Sequence, residues 1–154
     1  MYGVRIYGGG VYGDWSGGAS SQRYSKGAYA SLPLNDDDLT TLFATQDYTD
    51  VESENSVFVL QSFTNAYSVF LFKDKGVSYY PFFMTCKLQS KVAPSSSEVF
   101  LQIYNRNTST WETIDSDNST NADTTFTLTS SIITDLTKYY DAQLWLAHRV
   151  YQHN

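Results

Sequence analysis

The chain has 154 residues, of which 16% are aromatic and 17% are charged, and its formal net charge is −6. This length is enough for one domain with a hydrophobic core, and the aromatic-rich, charge-poor composition favours strands over helices. The acidic balance argues against nucleic acid as the main partner, because phosphate binding requires a basic patch.

The first residues and the hydropathy of the chain bear on where the protein acts. The first residues lack the continuous apolar core and the cleavage site of a signal peptide, and no stretch is apolar enough to span a bilayer. We therefore expect synthesis in a cytoplasm and no membrane partner.

Cys86 is the only cysteine, which excludes an internal disulfide, and its place in an alternating strand pattern predicts a buried, inert thiol.

Residues 1–30 have the composition of an extended N-terminal arm. Eight of the nine glycines lie within the first 27 residues, and Tyr-Gly recurs at 2–3, 7–8 and 12–13. The arm carries three basic residues and one acidic residue, a net charge of +2, whereas the remainder carries seven basic and fifteen acidic residues, a net charge of −8. Such an arm could lie on its own body, bind a neighbour, or remain a disordered leader. Its candidate partner-binding residues are Tyr2, Arg5, Tyr7, Tyr12 and Trp15.

The rest of the chain divides into two parts. Residues 31–56 form an acidic transitional segment, in which the run Asp36, Asp37, Asp38 before Leu39 and Phe43 predicts a short capped helical turn. Residues 57–154 alternate apolar and polar side chains with turns at short intervals, which predicts an antiparallel β-sandwich or jelly roll of about seven or eight strands. The predicted strands lie near 57–63, 67–71, 82–88, 98–106, 111–114, 126–128 and 144–150.

The sequence offers little catalytic chemistry and only weak ligand sites. Neither histidine belongs to a metal or nucleophile motif, so we predict no enzyme, and His148 is expected to be a hydrogen-bonded core or edge residue. Asp115, Asp117 and Asp123 form a weak candidate calcium site, but the segment departs from the EF-hand pattern and also reads as a polar turn. A glycan-stacking platform is an alternative to core packing for four aromatic residues: Trp111, Tyr139, Tyr140 and Trp145.

Residues 97–152 carry a resemblance to a known group of proteins. Val-Phe-Leu-Gln-Ile-Tyr-Asn-Arg at 99–106, Trp-Glu-Thr-Ile-Asp-Ser-Asp at 111–117, Tyr-Tyr-Asp at 139–141 and Arg-Val-Tyr-Gln at 149–152 resemble a β-sandwich domain of structural proteins from tailed phages and related viruses. The resemblance implies a virion component, either a capsid decoration protein or a tail or fibre subunit, and it transfers no active-site residue. It also implies self-association, with a trimer as the first expectation, and contacts to neighbouring capsid proteins. A carbohydrate-binding module is the rival function.

Overall fold

The protein forms two antiparallel sheets, described here from a computed structural model. The structure describes residues 3–13, 21–52, 57–76 and 81–154, and for residues 3–13 and Glu52 it describes the backbone alone. The sheets pack face to face around a common core, so the predicted all-β sandwich is confirmed. Within the described ranges the strands are β1 (Gly3–Gly13), β2 (Ser21–Tyr29), β3 (Thr41–Leu42), β4 (Val59–Ser62), β5 (Tyr67–Lys75), β6 (Phe82–Ser90), β7 (Val99–Asn105), β8 (Thr110–Asp117), β9 (Thr125–Thr129) and β10 (Trp145–His153).

The smaller sheet has the strand order β4-β1-β6-β9, so the N-terminal strand lies inside it. Tyr7 is opposite Lys87 and Gly10 is opposite Thr85, which leaves Gly8 and Gly9 together opposite one residue of β6. Two residues facing one is the geometry of a β-bulge, and glycine is common there because it accepts the backbone conformations that a bulge needs. The glycine run of the predicted arm therefore lies at a local break in the register of a paired strand.

The larger sheet has the order β3-β2-β5-β10-β7-β8, with β5 paired to both β2 and β10 along its whole length. Alternate side chains of its strands enter the space between the two sheets, where those of the smaller sheet meet them. Cys86 is fully buried in this core, as its strand pattern predicted. The other large, fully buried core side chains are Tyr24, Phe70, Phe72, Phe82, Met84, Leu88, Leu101, Ile103, Leu128 and Leu146.

The opposite side of the six-stranded sheet, called here the outer face, is partly covered by residues 30–40. Leu39 packs there in a second apolar cluster with Val69, Leu71, Tyr104 and Ala147. The acidic run fixes the covering segment at the edges of the cluster: Asp36 contacts Arg106 at 2.7 Å and Asp38 contacts Arg23 at 2.5 Å. The outer face is thus a partly covered apolar surface, in contrast to the solvated face of many antiparallel sheets.

The helical turn predicted at Leu39–Phe43 is wrong. Thr41 and Leu42 pair with β2 instead, and the backbone N–H of Phe43 donates to the carbonyl oxygen of Tyr24 at 2.9 Å. Sheet pairing supplies the hydrogen bonds that a single helical turn would have supplied, and it also buries Phe43 in the core. The helix begins later, as α1 (Thr45–Glu52), where the Asp47 carboxylate accepts from the backbone N–H of Ala44 at 2.9 Å.

The described part of the predicted arm contributes two strands to the sandwich. β1 belongs to the smaller sheet, and β2 belongs to the larger sheet, where it places Tyr24 in the core at 1% exposure. The transitional segment adds β3 and α1. Strands of the sandwich therefore occur well before residue 57, the predicted start of the sandwich domain, and they bring the number of strands among the described residues to ten. A single-turn 3₁₀ helix (Leu136–Lys138) precedes β10, and no described helix has the length and apolarity to span a membrane.

Candidate functional site

The predicted partner-binding residues of the arm fall partly outside the described residues. Tyr2 and Trp15 lie outside them, whereas Arg5, Tyr7 and Tyr12 belong to β1. The backbone of β1 pairs with β4 on one side and with β6 on the other. Three of the five predicted residues are thus brought to one strand, in a slot between two others, and their role in binding a partner stays a prediction.

The three carboxylates of the weak calcium candidate make separate local contacts. Asp117 accepts the backbone N–H groups of Ser119 at 2.7 Å and Thr120 at 3.0 Å, which closes a turn. Asp115 accepts the backbone N–H of Thr129 at 2.7 Å, and Asp123 forms an ion pair with a lysine side chain, Lys91. Among the residues that the structure describes, no group of three or more His, Cys, Asp or Glu side chains could hold a metal ion. The contacts of Asp117 are those of a polar turn.

The four aromatic residues considered for glycan stacking do not share one surface. Tyr139 and Tyr140 are buried in the core between the sheets, at 7% and 4% exposure. Trp111 packs in the other apolar cluster, on the outer face, and Trp145 lies near the Lys75 ammonium at the start of β10. A platform that combines all four is therefore excluded, because Tyr139 and Tyr140 are buried, whereas Trp111 and Trp145 are partly exposed in different surroundings. Of these two, Trp111 lines the pocket described below.

His148 lies in the core, on the same side of β10 as Leu146 and Val150, as its spacing predicted. The prediction that it is hydrogen-bonded is wrong, because neither ring nitrogen has a partner within the described protein. Its ring instead stacks on Phe72, with centroids 4.9 Å apart and planes at 18°. Burial lowers the pKa of His148 to about 3, so the ring is neutral and behaves as an aromatic core side chain.

A buried carboxyl group, Asp74, was not singled out from the sequence. One of its oxygens accepts from the Tyr24 hydroxyl at 2.8 Å, which itself accepts from the Gln22 amide at 3.0 Å. The other oxygen has no partner among the described residues. Burial raises the pKa of Asp74 to about 7, outweighing these hydrogen bonds, and it raises the pKa of Tyr140 to about 12 with a further contribution from the Asp74 charge. The group is enclosed in the core, with no pocket described beside it.

The outer face carries a pocket of about 460 Å³, called here the Arg149 pocket. One wall comes from the covering segment and the other from β7, β8, β10 and the turn before β8. Asn105 shapes that turn, since its side-chain oxygen accepts the backbone N–H groups of Asn107 at 2.9 Å and Thr108 at 3.3 Å. The lining residues are Leu32, Pro33, Leu34, Gln102, Ser109, Thr110, Trp111 and Arg149.

The charge of this pocket comes from Arg149, which is only 5% exposed. Its Nε donates to the Gln102 side-chain oxygen at 2.8 Å, and one terminal nitrogen donates to the carbonyl oxygen of Pro33 at 2.7 Å. The guanidinium carbon lies 4.2 Å from the ring centroid of Trp111. Burial lowers the pKa of Arg149 to about 10, so the group keeps its charge at neutral pH despite its desolvation.

An aromatic strip continues from the pocket along the outer face. The guanidinium of Arg149 also lies 5.3 Å from the ring of Tyr151, which stacks on Phe100 at 5.1 Å and 20°. Tyr67 meets Tyr151 edge-on at 6.1 Å and meets the ring of His153 at 4.8 Å. These rings are half-buried or exposed, and together they give the outer face an apolar surface next to the Arg149 guanidinium.

The pocket was missed because its two walls are far apart in the sequence. The signal for Arg149 was present, since Ala147, Arg149 and Tyr151 alternate with the core residues Leu146 and Val150. That spacing places an arginine on the face opposite the core, but it cannot show that another segment covers the face. The arrangement can bind a ligand through burial and charge, and it includes no nucleophile paired with a base in the described pocket.

Comparisons of the chain with protein-family models, with curated proteins and with solved structures found no match. Function must therefore be argued from the geometry and the sequence.

Proposed function

We propose that the protein is a non-enzymatic structural protein of a virus particle, a capsid decoration protein that assembles through its N-terminal arm. The observation that supports the assembly mode is the position of β1, which lies between β4 and β6 and hydrogen-bonds to both. The sandwich fold and the resemblance of residues 97–152 support the virion context. The partners would be further copies of the chain, as a trimer, and neighbouring capsid proteins, and the location would be the virion.

The position of β1 suggests a physical route to assembly. A strand supplied by the chain terminus can fill the same slot in a neighbouring subunit and make the same hydrogen bonds there, which is strand exchange. Without β1, the facing edges of β4 and β6 expose unpaired backbone groups, a strong incentive to bind another strand. Five of the eleven residues of β1 are glycine, so the strand is weakly specified by its own side chains and depends on its slot.

Charge favours the same contact. β1 carries one basic residue, Arg5, and no acidic residue, whereas the chain as a whole has a net charge of −6, so a neighbour's body attracts the strand as its own body does. Arg23 and Lys26, the other basic residues of the predicted arm, lie in β2. Ser21–Tyr29 is part of the larger sheet, which limits any truncation to residues before it. Truncation is also a poor test, because it removes an inner strand and would impair folding whether or not exchange occurs.

A cysteine cross-link tests the exchange without removing the strand. Tyr12 and Phe83 are directly opposite in the β1–β6 register, and Phe83 is 37% exposed. One chain carries Tyr12→Cys and a second, differently tagged chain carries Phe83→Cys. After the two are unfolded together, refolded and oxidised, exchange predicts a disulfide between the tags, because opposite residues in an antiparallel pair lie within reach of a bridge.

Two controls define the outcome. Tyr12→Cys mixed with Lys91→Cys, which is not its register partner, should give little cross-link. The double variant Tyr12→Cys, Phe83→Cys in one chain reports pairing within the subunit. Analytical ultracentrifugation of the unmodified protein should show a closed oligomer, expected to be a trimer. A monomer at all concentrations, or an oligomer in which only the single-chain disulfide forms, would refute assembly through β1.

The carbohydrate-binding alternative, whether as a module or as a receptor-binding tail subunit, has less support. It required an exposed aromatic pair, but Tyr139 and Tyr140 are buried. It therefore depends on Trp111 or Trp145, and a cation lies over each ring: the Arg149 guanidinium at 4.2 Å from Trp111 and the Lys75 ammonium at 5.9 Å from Trp145. Binding on a glycan array that disappears in Trp111→Ala, with folding retained, would favour this alternative over the structural one.

A further inference from the structure

Arg149 differs from the other arginines whose side chains the structure describes. Arg23 and Arg106 each contact a carboxylate, Asp38 and Asp36 respectively. Arg149 is the most buried of the three, yet no described acidic side chain forms an ion pair with it. A buried guanidinium without a counter-charge is costly, and the cost is relieved when an anion binds to it.

The guanidinium retains capacity for such an anion. Arginine has five N–H donors; Arg149 uses one for the Gln102 side chain and one for the carbonyl oxygen of Pro33. No other acceptor is described for it. The indole N–H of Trp111, in the same pocket, also lacks an acceptor among the described residues. Two side chains of the Arg149 pocket thus hold N–H donors without a described protein acceptor, which favours an acceptor ligand.

The other residues that line the Arg149 pocket indicate which kind of anionic ligand fits it. Leu32, Pro33 and Leu34 are apolar, and Leu34 is 86% exposed at the rim. A single arginine with a planar fork matches one carboxylate, whereas a phosphate group would normally require further cations or backbone donors. A pyranose ring would need a free aromatic face, and Arg149 occupies one face of Trp111.

We propose that the Arg149 pocket binds an acidic peptide segment of a partner protein, with one carboxylate on Arg149 and an adjacent apolar side chain against Leu32–Leu34. The site lies on the outer face of the larger sheet, so it is independent of the exchange proposed for β1 in the smaller sheet. The pocket complements such a segment because a positive charge and an apolar wall share one cavity of about 460 Å³. It gives the protein a second means of contact, selective for a short acidic sequence.

Three small probes test the ligand class on the full-length protein. They are the capped dipeptide N-acetyl-Leu-Asp-amide, its uncharged analogue N-acetyl-Leu-Asn-amide, and N-acetylneuraminic acid as an acidic sugar. Binding is followed by ¹H–¹⁵N NMR at the Arg149 Nε–H and the Trp111 indole N–H. We expect the acidic dipeptide to shift both signals saturably and the analogue to bind at least tenfold more weakly.

Variants separate a ligand-binding role from a merely structural one. Arg149→Lys keeps the charge but loses the fork, and should weaken binding of the acidic dipeptide about tenfold or more. Arg23→Lys, at an ion-paired arginine of the same sheet, is the matched control and should leave binding unchanged. If Arg149→Lys fails to fold, the shift of the Arg149 Nε–H in the unmodified protein still decides the question.

The proposal is overturned by any of three results. The first is equal binding of the two dipeptides, because the charge would then not be recognised. The second is binding of the acidic sugar in place of the acidic dipeptide, which would make the site a glycan site. The third is dipeptide binding that moves neither the Arg149 signal nor the Trp111 signal, which would place the contact elsewhere on the molecule.

Discussion

Replacing Asp74 with asparagine should stabilise the protein at neutral and alkaline pH. Asp74 is 2% exposed, and burial raises its pKa from 3.8 to about 7. The folded protein thus holds this proton up to about pH 7, whereas the unfolded chain releases it near pH 4. The stabilising contribution of Asp74 is therefore complete below about pH 4 and is lost as pH rises through 7. At about 1.36 kcal/mol per pKa unit, the loss is about 4 kcal/mol.

Asparagine has nearly the shape of aspartic acid and is uncharged at every pH, so it resembles the protonated form of Asp74 and not the carboxylate. Its side-chain oxygen can still accept from the Tyr24 hydroxyl, which donates to Asp74 at 2.8 Å. We expect Asp74→Asn to match the unmodified protein near pH 4 and to exceed its free energy of unfolding at pH 8 by up to about 4 kcal/mol. The gain arises because the variant no longer has to ionise a carboxyl group inside the core.

His148 has the opposite pH dependence, which makes the test sharper. Burial lowers its pKa from 6.5 to about 3, so its contribution is complete above pH 6.5 and is lost as pH falls through 3. Between about pH 4 and 6.5 the slopes from Asp74 and His148 oppose each other, and the unmodified protein should be nearly insensitive to pH. Asp74→Asn removes one slope, so its stability should rise by about 1.4 kcal/mol per pH unit across this window.

Urea unfolding at several pH values between 4 and 8, followed by tryptophan fluorescence, measures these differences. Asp135→Asn serves as the control, because Asp135 is exposed and its contacts are local, an i,i+3 ion pair with Lys138 and a hydrogen bond from the Thr137 hydroxyl at 3.3 Å. It should change stability by less than about 1 kcal/mol at every pH. The reasoning fails if Asp74→Asn has the same pH profile as the unmodified protein, or if it is less stable at pH 8.

Three further predictions test packing and local structure. Gly27→Ala should destabilise the fold by about 1–3 kcal/mol in thermal unfolding, because a Cβ there would lie 2.6 Å from a ring carbon of Tyr29 and 2.8 Å from the Thr40 hydroxyl; an unchanged melting temperature would contradict it. Asp117→Ala should cost about 1–2 kcal/mol through loss of its turn bonds, and millimolar calcium should leave the unmodified melting temperature unchanged, whereas a calcium-dependent rise would restore the metal site. Cys86 should resist thiol reagents in the native state and react in urea, because it is fully buried.

The strands that the sequence predicted are those with a regular period of two. The seven expected strands after residue 57 correspond to β4–β10, because alternation reports which side chains face the core. β1 and β2 were assigned to an arm, because the density of glycine in residues 1–27 resembles that of a flexible segment. β1 pairs with β6 and β2 pairs with β5, and both partners are distant in the sequence. Local composition does not predict such long-range pairing.

Charge pairing shows a similar limit at the candidate site. The acidic run at 36–38 could form ion pairs with any basic residue in the chain, and the sequence does not show with which one. In the structure Asp36 pairs with Arg106, and Asp38 pairs with Arg23 and Lys73. These contacts leave Arg149 without a carboxylate among the described residues. Arg149 is thus distinguished by the ion pairs that the other charged residues form, and only the fold determines which residues pair.

The two proposed contacts lie on different sheets, and this makes them separable. β1 belongs to the smaller sheet, whereas the Arg149 pocket lies on the far side of the larger sheet, with the core between them. A subunit could therefore exchange its N-terminal strand with a neighbour while its outer face remains available to an acidic segment. If so, Arg149→Lys should weaken peptide binding without changing the cross-link between Tyr12→Cys and Phe83→Cys chains. Loss of both functions in that one variant would instead mean that the outer face is part of the subunit interface.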